Sequence, residues 1–165
     1  TGYGLRKFMN PVADIKNWIG TSSNYPLFRL AELYLIKAEA LNEYYESPNQ
    51  DVYDAINEVR SRVEMPDLPI VSEDNTKIGM RKRIRNERRV ELFFEGHRFW
   101  DVRRWKEGDK HFKNIVEMKI TKNGDDIYTY ERKVKERSWD DKMYFFPIPQ
   151  SEKSKNPNLE QNPGW

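Results

Sequence analysis

Cysteine is absent from the 165 residues, which removes disulfide scaffolds, thiolate nucleophiles and cysteine-based zinc sites together. Histidine is nearly absent too: His97 and His111 stand fourteen residues apart, and neither falls in a metal or nucleophile motif. Charge of one sign is not in excess, since 29 Lys and Arg face 27 Asp and Glu for a net charge of +2. Such a balance gives no field to steer a polyanion to the chain as a whole. Long apolar runs are missing as well, because Arg29, Glu32 and Lys37 interrupt the richest segment well short of the ~18 residues that a membrane span needs. Mean hydropathy is low, −0.97. Its length suits one domain with little hydrophobic surplus, in which buried positions must be placed economically.

The sequence does hold periodic segments. Residues 1–26, rich in Gly, Asn, Ser and Pro, read as a loop with scattered aromatics. From Leu27 onward, Leu30, Ala31, Tyr34, Ala38, Leu41 and Tyr45 recur at three and four, predicting a helix over 27–46. Ser47-Pro48 stops it, and Val52, Ala55, Ile56, Val59 and Val63 predict a second over 50–64, antiparallel to the first. A third is expected from Lys77 to Glu95 with Gly96 as its stop, then a shorter one from Arg98 to Trp105, giving helices over 77–105. Residues 115–135 alternate around Asn123-Gly124, the signature of a two-residue turn in a β-hairpin. Prolines at 147, 149, 157 and 163 predict an extended tail over 140–165. The fold class is mainly α with a small β-hairpin and long ordered loops.

Ten Lys and Arg between Arg81 and Lys106 raise the question of nucleic-acid binding. Glu87, Glu91, Glu95 and Asp101 lie three or four residues from these cations and pair them along the helix, so no nucleic acid is expected. Arg88 is four residues from both Ile84 and Leu92, on the apolar stripe, where a charge requires a partner. An ion-pair network of Arg88, Glu91, Glu95, Arg98 and Asp101, structural in role, is therefore expected. Glu91 and Glu95 share a face as glycosidase acids do, but surrounding arginines would depress their pKa values, which is the wrong direction for a general acid. Asn123-Gly124-Asp125-Asp126 lacks the spacing of a calcium loop. Neither a metal nor a cofactor is expected.

Aromatic residues make up 13% of this hydrophilic chain. Flat rings stack on the C–H faces of sugars while flanking polar groups take the hydroxyls, and Trp18, Tyr25 and Trp139 stand in loops beside such groups. Most aromatic residues in loops nonetheless serve as packing anchors.

Several runs, in order, carry a resemblance. Arg29-Leu30-Ala31-Glu32-Leu33-Tyr34 opens the first helix, and Ala55-Ile56-Asn57-Glu58-Val59-Arg60 lies in the second. Asn86-Glu87-Arg88-Arg89-Val90-Glu91-Leu92-Phe93-Phe94-Glu95-Gly96-His97-Arg98-Phe99-Trp100-Asp101 follows, and the chain closes on Phe146-Pro147-Ile148-Pro149 and Gln161-Asn162-Pro163-Gly164-Trp165. Together these resemble the C-terminal part of the SusD-like (RagB/SusD) family of outer-membrane nutrient-binding lipoproteins. The resemblance implies tetratricopeptide-like helix pairs and a non-enzymatic, glycan-binding function in carbohydrate uptake. It implies a surface-exposed place at the cell outer membrane, as the lid of a SusC-like TonB-dependent transporter. The family's lipid-anchored N-terminus, its only implied membrane attachment, and its earlier helix pairs have no counterpart here, so the chain is expected to be a C-terminal segment. A helical-repeat scaffold for another protein, with no sugar ligand, is the alternative.

Overall fold

The computed structural model describes residues 7–8, 24–125 and 127–165, arranged as two compact units, 7–98 and 99–165. Most of the 1–26 loop, Trp18 included, lies outside the described residues.

In the first unit, α1 (Leu30–Tyr44) packs on α2 (Gln50–Ser61) and on α3 (Lys77–Glu91), with a 3-10 turn at Ser72–Asn75 before α3. The three helices enclose Leu35, Ala38, Val52, Ala55, Ile56, Val59, Met80, Ile84 and Leu92. Periodicity singled out Val52, Ala55, Ile56 and Val59 on α2 but only Ala38 of the buried α1 positions, since Leu35 lies outside the expected stripe and Leu27 and Leu30, inside it, are exposed. Caps set the starts: Asn49 Oδ1 accepts from Val52 N–H at 3.3 Å, and Thr76 Oγ1 accepts from Gly79 N–H at 3.0 Å. Gly79 is required by closeness, since a Cβ there would stand 1.9 Å from the Glu73 carbonyl oxygen. Polar groups bind the helices laterally. Asn42, fully buried on α1, donates to the Lys77 carbonyl at 3.1 Å, and Asn57 exchanges two hydrogen bonds with the Leu68 backbone.

The third helix ends at Glu91 rather than Glu95. Leu92 leaves the helical region and Phe94 adopts φ +61, followed by Gly96 at φ +80, so a left-handed turn occupies 92–96. A non-glycine residue in that region costs about 1 kcal/mol or more, and the hydrogen bonds around the turn must offset it. Helix α1 also differs from a simple amphipathic helix: opposite its buried stripe, Leu30, Leu33, Ile36 and Tyr44 are all exposed.

The second helix of the 77–105 stretch, α4 (His97–Arg104), leads into the second unit, which holds α5 (Gly108–Phe112), the strands β1 (Asn114–Lys122) and β2 (Tyr128–Glu136), a 3-10 turn at Asp141–Tyr144 and α6 (Gln150–Lys155). The strands pair antiparallel with Val116 opposite Val134 and Ile120 opposite Tyr130. The hairpin closes through residues 123–127, with Asn123 N–H donating to Ile127 at 2.8 Å, rather than through a two-residue turn. Gly124 has φ +148 and Asn123 no positive φ, which excludes the expected turn type.

Phe99, Trp100, Phe112 and Phe146 form an aromatic cluster, with the Arg103 guanidinium 5.0 Å from the Phe99 ring and 4.5 Å from that of Phe146. Residues 146–149 are extended as the prolines require and are pinned by Gln161, which exchanges two hydrogen bonds with Ile148, and by Asn162, which donates to Phe146. The tail is not extended throughout. Pro149, with φ −55 already suited to a helix start, precedes the six-residue α6.

Candidate functional site

Arg29 stands at the N-cap of α1 with φ −150, in the place where a short side chain ordinarily caps the helix. Its side chain instead crosses to the turn after α3. Nε donates to Glu95 Oε2 at 2.6 Å, Nη1 to Glu91 Oε1 at 2.5 Å and Nη2 to the Glu91 carbonyl at 2.6 Å. Lys7 donates to Glu95 and to the same carbonyl, the latter at 2.9 Å. Arg62, just past α2, chelates Glu91 at 2.9 and 3.0 Å. Three cations from separate segments therefore converge on two carboxylates four residues apart. The positive φ at Phe94 turns the backbone so that Glu95 points back into this group.

These residues line a cleft of about 410 Å3 whose apolar wall is Phe8, Pro26, Val90 and Phe93. Tyr25 stands at its edge. The Tyr25 ring packs against Phe8 at a centroid distance of 5.4 Å and its hydroxyl donates to the Phe94 carbonyl at 3.4 Å, yet 54% of the residue is exposed. Phe93 and Phe94, edge to face at 4.7 Å, are more than half exposed as well. An aromatic rim over fixed charged groups suits a ligand with flat C–H faces and hydroxyls.

Electrostatics set the protonation of the group. Burial pushes the Glu95 carboxyl up, but hydrogen bonds from Arg29 and Lys7 outweigh it and hold the carboxyl below the ordinary glutamate value. Burial acts to lower the Arg29 pKa, and Glu95 and Glu91 overcome it so that the guanidinium is held more firmly charged. Glu95 is thus an anion at neutral pH and is unsuited to donate a proton to a leaving group.

Arg88, Arg98 and Asp101 are not among the residues that line this cleft. Arg88, 4% exposed at its side chain, has Nε 3.8 Å from Glu39 Oε2 on α1. Arg60, also buried, pairs with Glu87 and donates to the Pro66 carbonyl at 2.9 Å. Arg104 Nε donates to the buried Asp101 at 2.9 Å within α4. His97 Nδ1 lies 3.4 Å from Glu32, and Arg98 is half-buried beside it in sequence.

Trp139 sits in the second unit. Its ring packs on Phe112 at 5.2 Å and edge to face on Tyr144 at 5.1 Å, and a Cβ at Gly108 would come within 2.0 Å of it. The ring is half-buried and works as a packing anchor there. Sequence reasoning missed Arg29, Lys7 and Arg62 as partners of Glu91 and Glu95, because 62 and 66 residues separate Arg29 from the two carboxylates. A bulky cation at a helix N-cap was the available signal. Among the described residues no cluster of side chains could hold a metal ion, and no helix is long and apolar enough to cross a membrane.

Comparison with known proteins places the chain. The model of the SusD family matches residues 1–165. SusD-like protein P2 of Formosa agariphila is 31% identical over 151 residues, covering 88% of this chain and 26% of its own length. SusD-like protein P38 of the same organism is 38% identical over 85 residues, 48% of this chain and 16% of its own. The crystal structure of a SusD-like protein from Bacteroides fragilis superposes with a TM-score of 0.72 at 35% identity, covering 87% of this chain and 26% of that one. The chain spans about a quarter, or less, of the length of these relatives. Its helices and hairpin share the fold of that solved structure, and with a family match over its whole length the chain belongs to the SusD family.

Proposed function

We propose that this chain contributes to a non-catalytic glycan-binding protein at the outer-membrane surface, working as the lid partner of a SusC-like TonB-dependent transporter in nutrient uptake. Membership of the SusD family supports this reading. The observation that carries it furthest is the cleft at Arg29, Glu91 and Glu95, with Tyr25 and Phe93 exposed at its rim. In this reading the exposed aromatic faces stack on sugar rings, and cations already fixed by carboxylates offer their remaining N–H groups to hydroxyls. Preorganised donors lose little entropy on binding, while sugar hydroxyls must shed water, so affinity is modest. Tyr25 takes the stacking role and Trp139 supports the second unit. Affinity electrophoresis of the full-length gene product across a polysaccharide panel tests the reading: retardation by at least one glycan is expected, and retardation by none contradicts it. Co-purification with a TonB-dependent transporter tests the lid assignment.

The exposed stripe Leu30, Leu33, Ile36 and Tyr44 on α1 favours a second reading, in which the helix pair is a protein-binding scaffold. Binding of free oligosaccharide separates the two.

A further inference from the structure

The β1–β2 hairpin has two chemically distinct faces, and the apolar one is open to solvent. The register places Val116, Met118, Ile120 and Lys122 on one face with Val134, Arg132, Tyr130 and Tyr128 opposite them. Val116, Ile120, Tyr128, Tyr130 and Val134 are each between 41% and 66% exposed. The other face carries Ile115 opposite Lys135, Glu117 opposite Lys133, Lys119 opposite Glu131 and Thr121 opposite Thr129, so its charges are mixed, with two of its three lysines directly opposite glutamates. An antiparallel ribbon alternates in this way when one face is covered. Here the apolar face bears two adjacent tyrosines and two cations, Lys122 and Arg132, and its one carboxylate, Glu136, stands at the base opposite Asn114.

We propose that this face is a binding surface for an acidic polysaccharide, one bearing uronate or sulfate groups, which deepens the glycan-binding reading and rests on it. Tyr128 and Tyr130 supply successive stacking rings, and Lys122 and Arg132 meet the anionic substituents. Two area considerations favour a polysaccharide over a protein or a second copy of the chain. Nine residues at ~3.3 Å each make a ribbon face roughly 30 Å long and of the order of 300 Å2. A stable protein interface takes about 800 Å2 from each partner, so this face alone falls short of one. An extended polymer lying along the ribbon needs only the strip. The placement of Glu117 and Glu131 on the opposite face leaves Glu136, at the base of the ribbon, as the one carboxylate on the strip that carries Lys122 and Arg132.

The test uses the full-length gene product with polygalacturonate and dextran sulfate as acidic probes and amylopectin and xyloglucan as neutral ones. The variants are Tyr128→Ala/Tyr130→Ala and Lys122→Gln/Arg132→Gln, with Lys119→Gln/Lys133→Gln as an opposite-face control that removes equal charge. Binding of an acidic probe is expected to weaken about tenfold or more in the first two variants, to change by less than about threefold in the control, and to fall with added salt. Tyr128→Phe/Tyr130→Phe is expected to retain binding, because stacking needs the ring and not the hydroxyl. Equal loss in the control, or unchanged binding in both test variants, overturns the proposal. Binding of neutral probes alone overturns it while leaving the glycan-binding reading intact, and binding of no probe in the panel counts against both. Loss of a co-purifying protein with glycan binding unchanged also overturns it and assigns the face to that protein.

Discussion

Arg29 Nε lies 2.6 Å from Glu95 Oε2, joining the first residue before α1 to the turn that follows α3. The same guanidinium holds Glu91, so one side chain fixes both carboxylates and the backbone between them. Replacing it leaves the Glu95 side chain, 2% exposed, with Lys7 as its one remaining ion-pair partner among the described residues. Breaking a fully buried pair costs about 3–5 kcal/mol. With a quarter of the Arg29 side chain in water, Arg29→Ala is expected to cost about 2–3 kcal/mol, read as a lower midpoint in urea. Arg29→Lys should recover little, because an ammonium cannot span three acceptors in the fork geometry.

Acid should unfold the protein through its held-down carboxylates. Glu95, Asp74 and Glu43 all titrate below their ordinary values in the folded chain. For Asp74, burial acts upward, and Arg83 with the Ile70 and Val71 N–H groups more than reverses it; for Glu43 the Arg81 hydrogen bond dominates. A carboxyl whose folded value is depressed favours folding fully above the unfolded value, near pH 4, and loses that contribution as pH falls through the folded value. Stability is expected to be flat above about pH 5 and to drop progressively below it. Glu95→Gln should make that drop shallower in denaturant titrations at several pH values.

Burial should decide which arginine matters for folding. Arg88 is 4% exposed against Glu39, whereas the Arg81 and Glu43 side chains, at 31% and 41%, share their pair with water. Arg88→Ala is expected to cost about 3–5 kcal/mol and Arg81→Ala under about 1 kcal/mol. Thermal midpoints of the two variants, measured side by side, check the contrast.

Gly79→Ala should be among the costliest single-methyl additions in the chain. Its Cβ would meet the Glu73 carbonyl oxygen at 1.9 Å, a backbone atom that cannot rotate away. The 3-10 turn must shift from α3 or the helix start must unwind, at a cost of about 1–3 kcal/mol. Circular dichroism at 222 nm through thermal unfolding reads the loss.

The elements legible in the sequence are those with a local cause. Ala31, Tyr34, Ala38 and Leu41, then Val52, Ala55, Ile56 and Val59, repeat at helical spacing, and α1 and α2 follow from them, though Leu35, the fully buried leucine of α1, falls outside that pattern. The hairpin strands follow from alternation. Its turn was misread because Asn-Gly signals a short loop, while the pairing stops at Lys122 and Tyr128. The end of α3 departs from the expected Glu95 because residues 92–95 keep a helical sequence pattern, whereas the backbone leaves the helix at Leu92 and turns left-handed at Phe94 and Gly96. At the cleft, Tyr25 and the pair Glu91 and Glu95 were legible by chemistry. Their convergence was not, because it depends on Arg29 reaching across the packed helices, a relation that no local pattern encodes.

The most direct measurement is a titration of oligosaccharide into the full-length gene product and its Tyr25→Ala variant, monitored calorimetrically. The oligosaccharide is drawn from a polysaccharide that retards the wild type. Tyr25 is 54% exposed and is not part of the buried cluster, so the variant is expected to keep its thermal midpoint and to bind about tenfold more weakly. Equal affinity in the two proteins would contradict the assignment of this cleft as the glycan site.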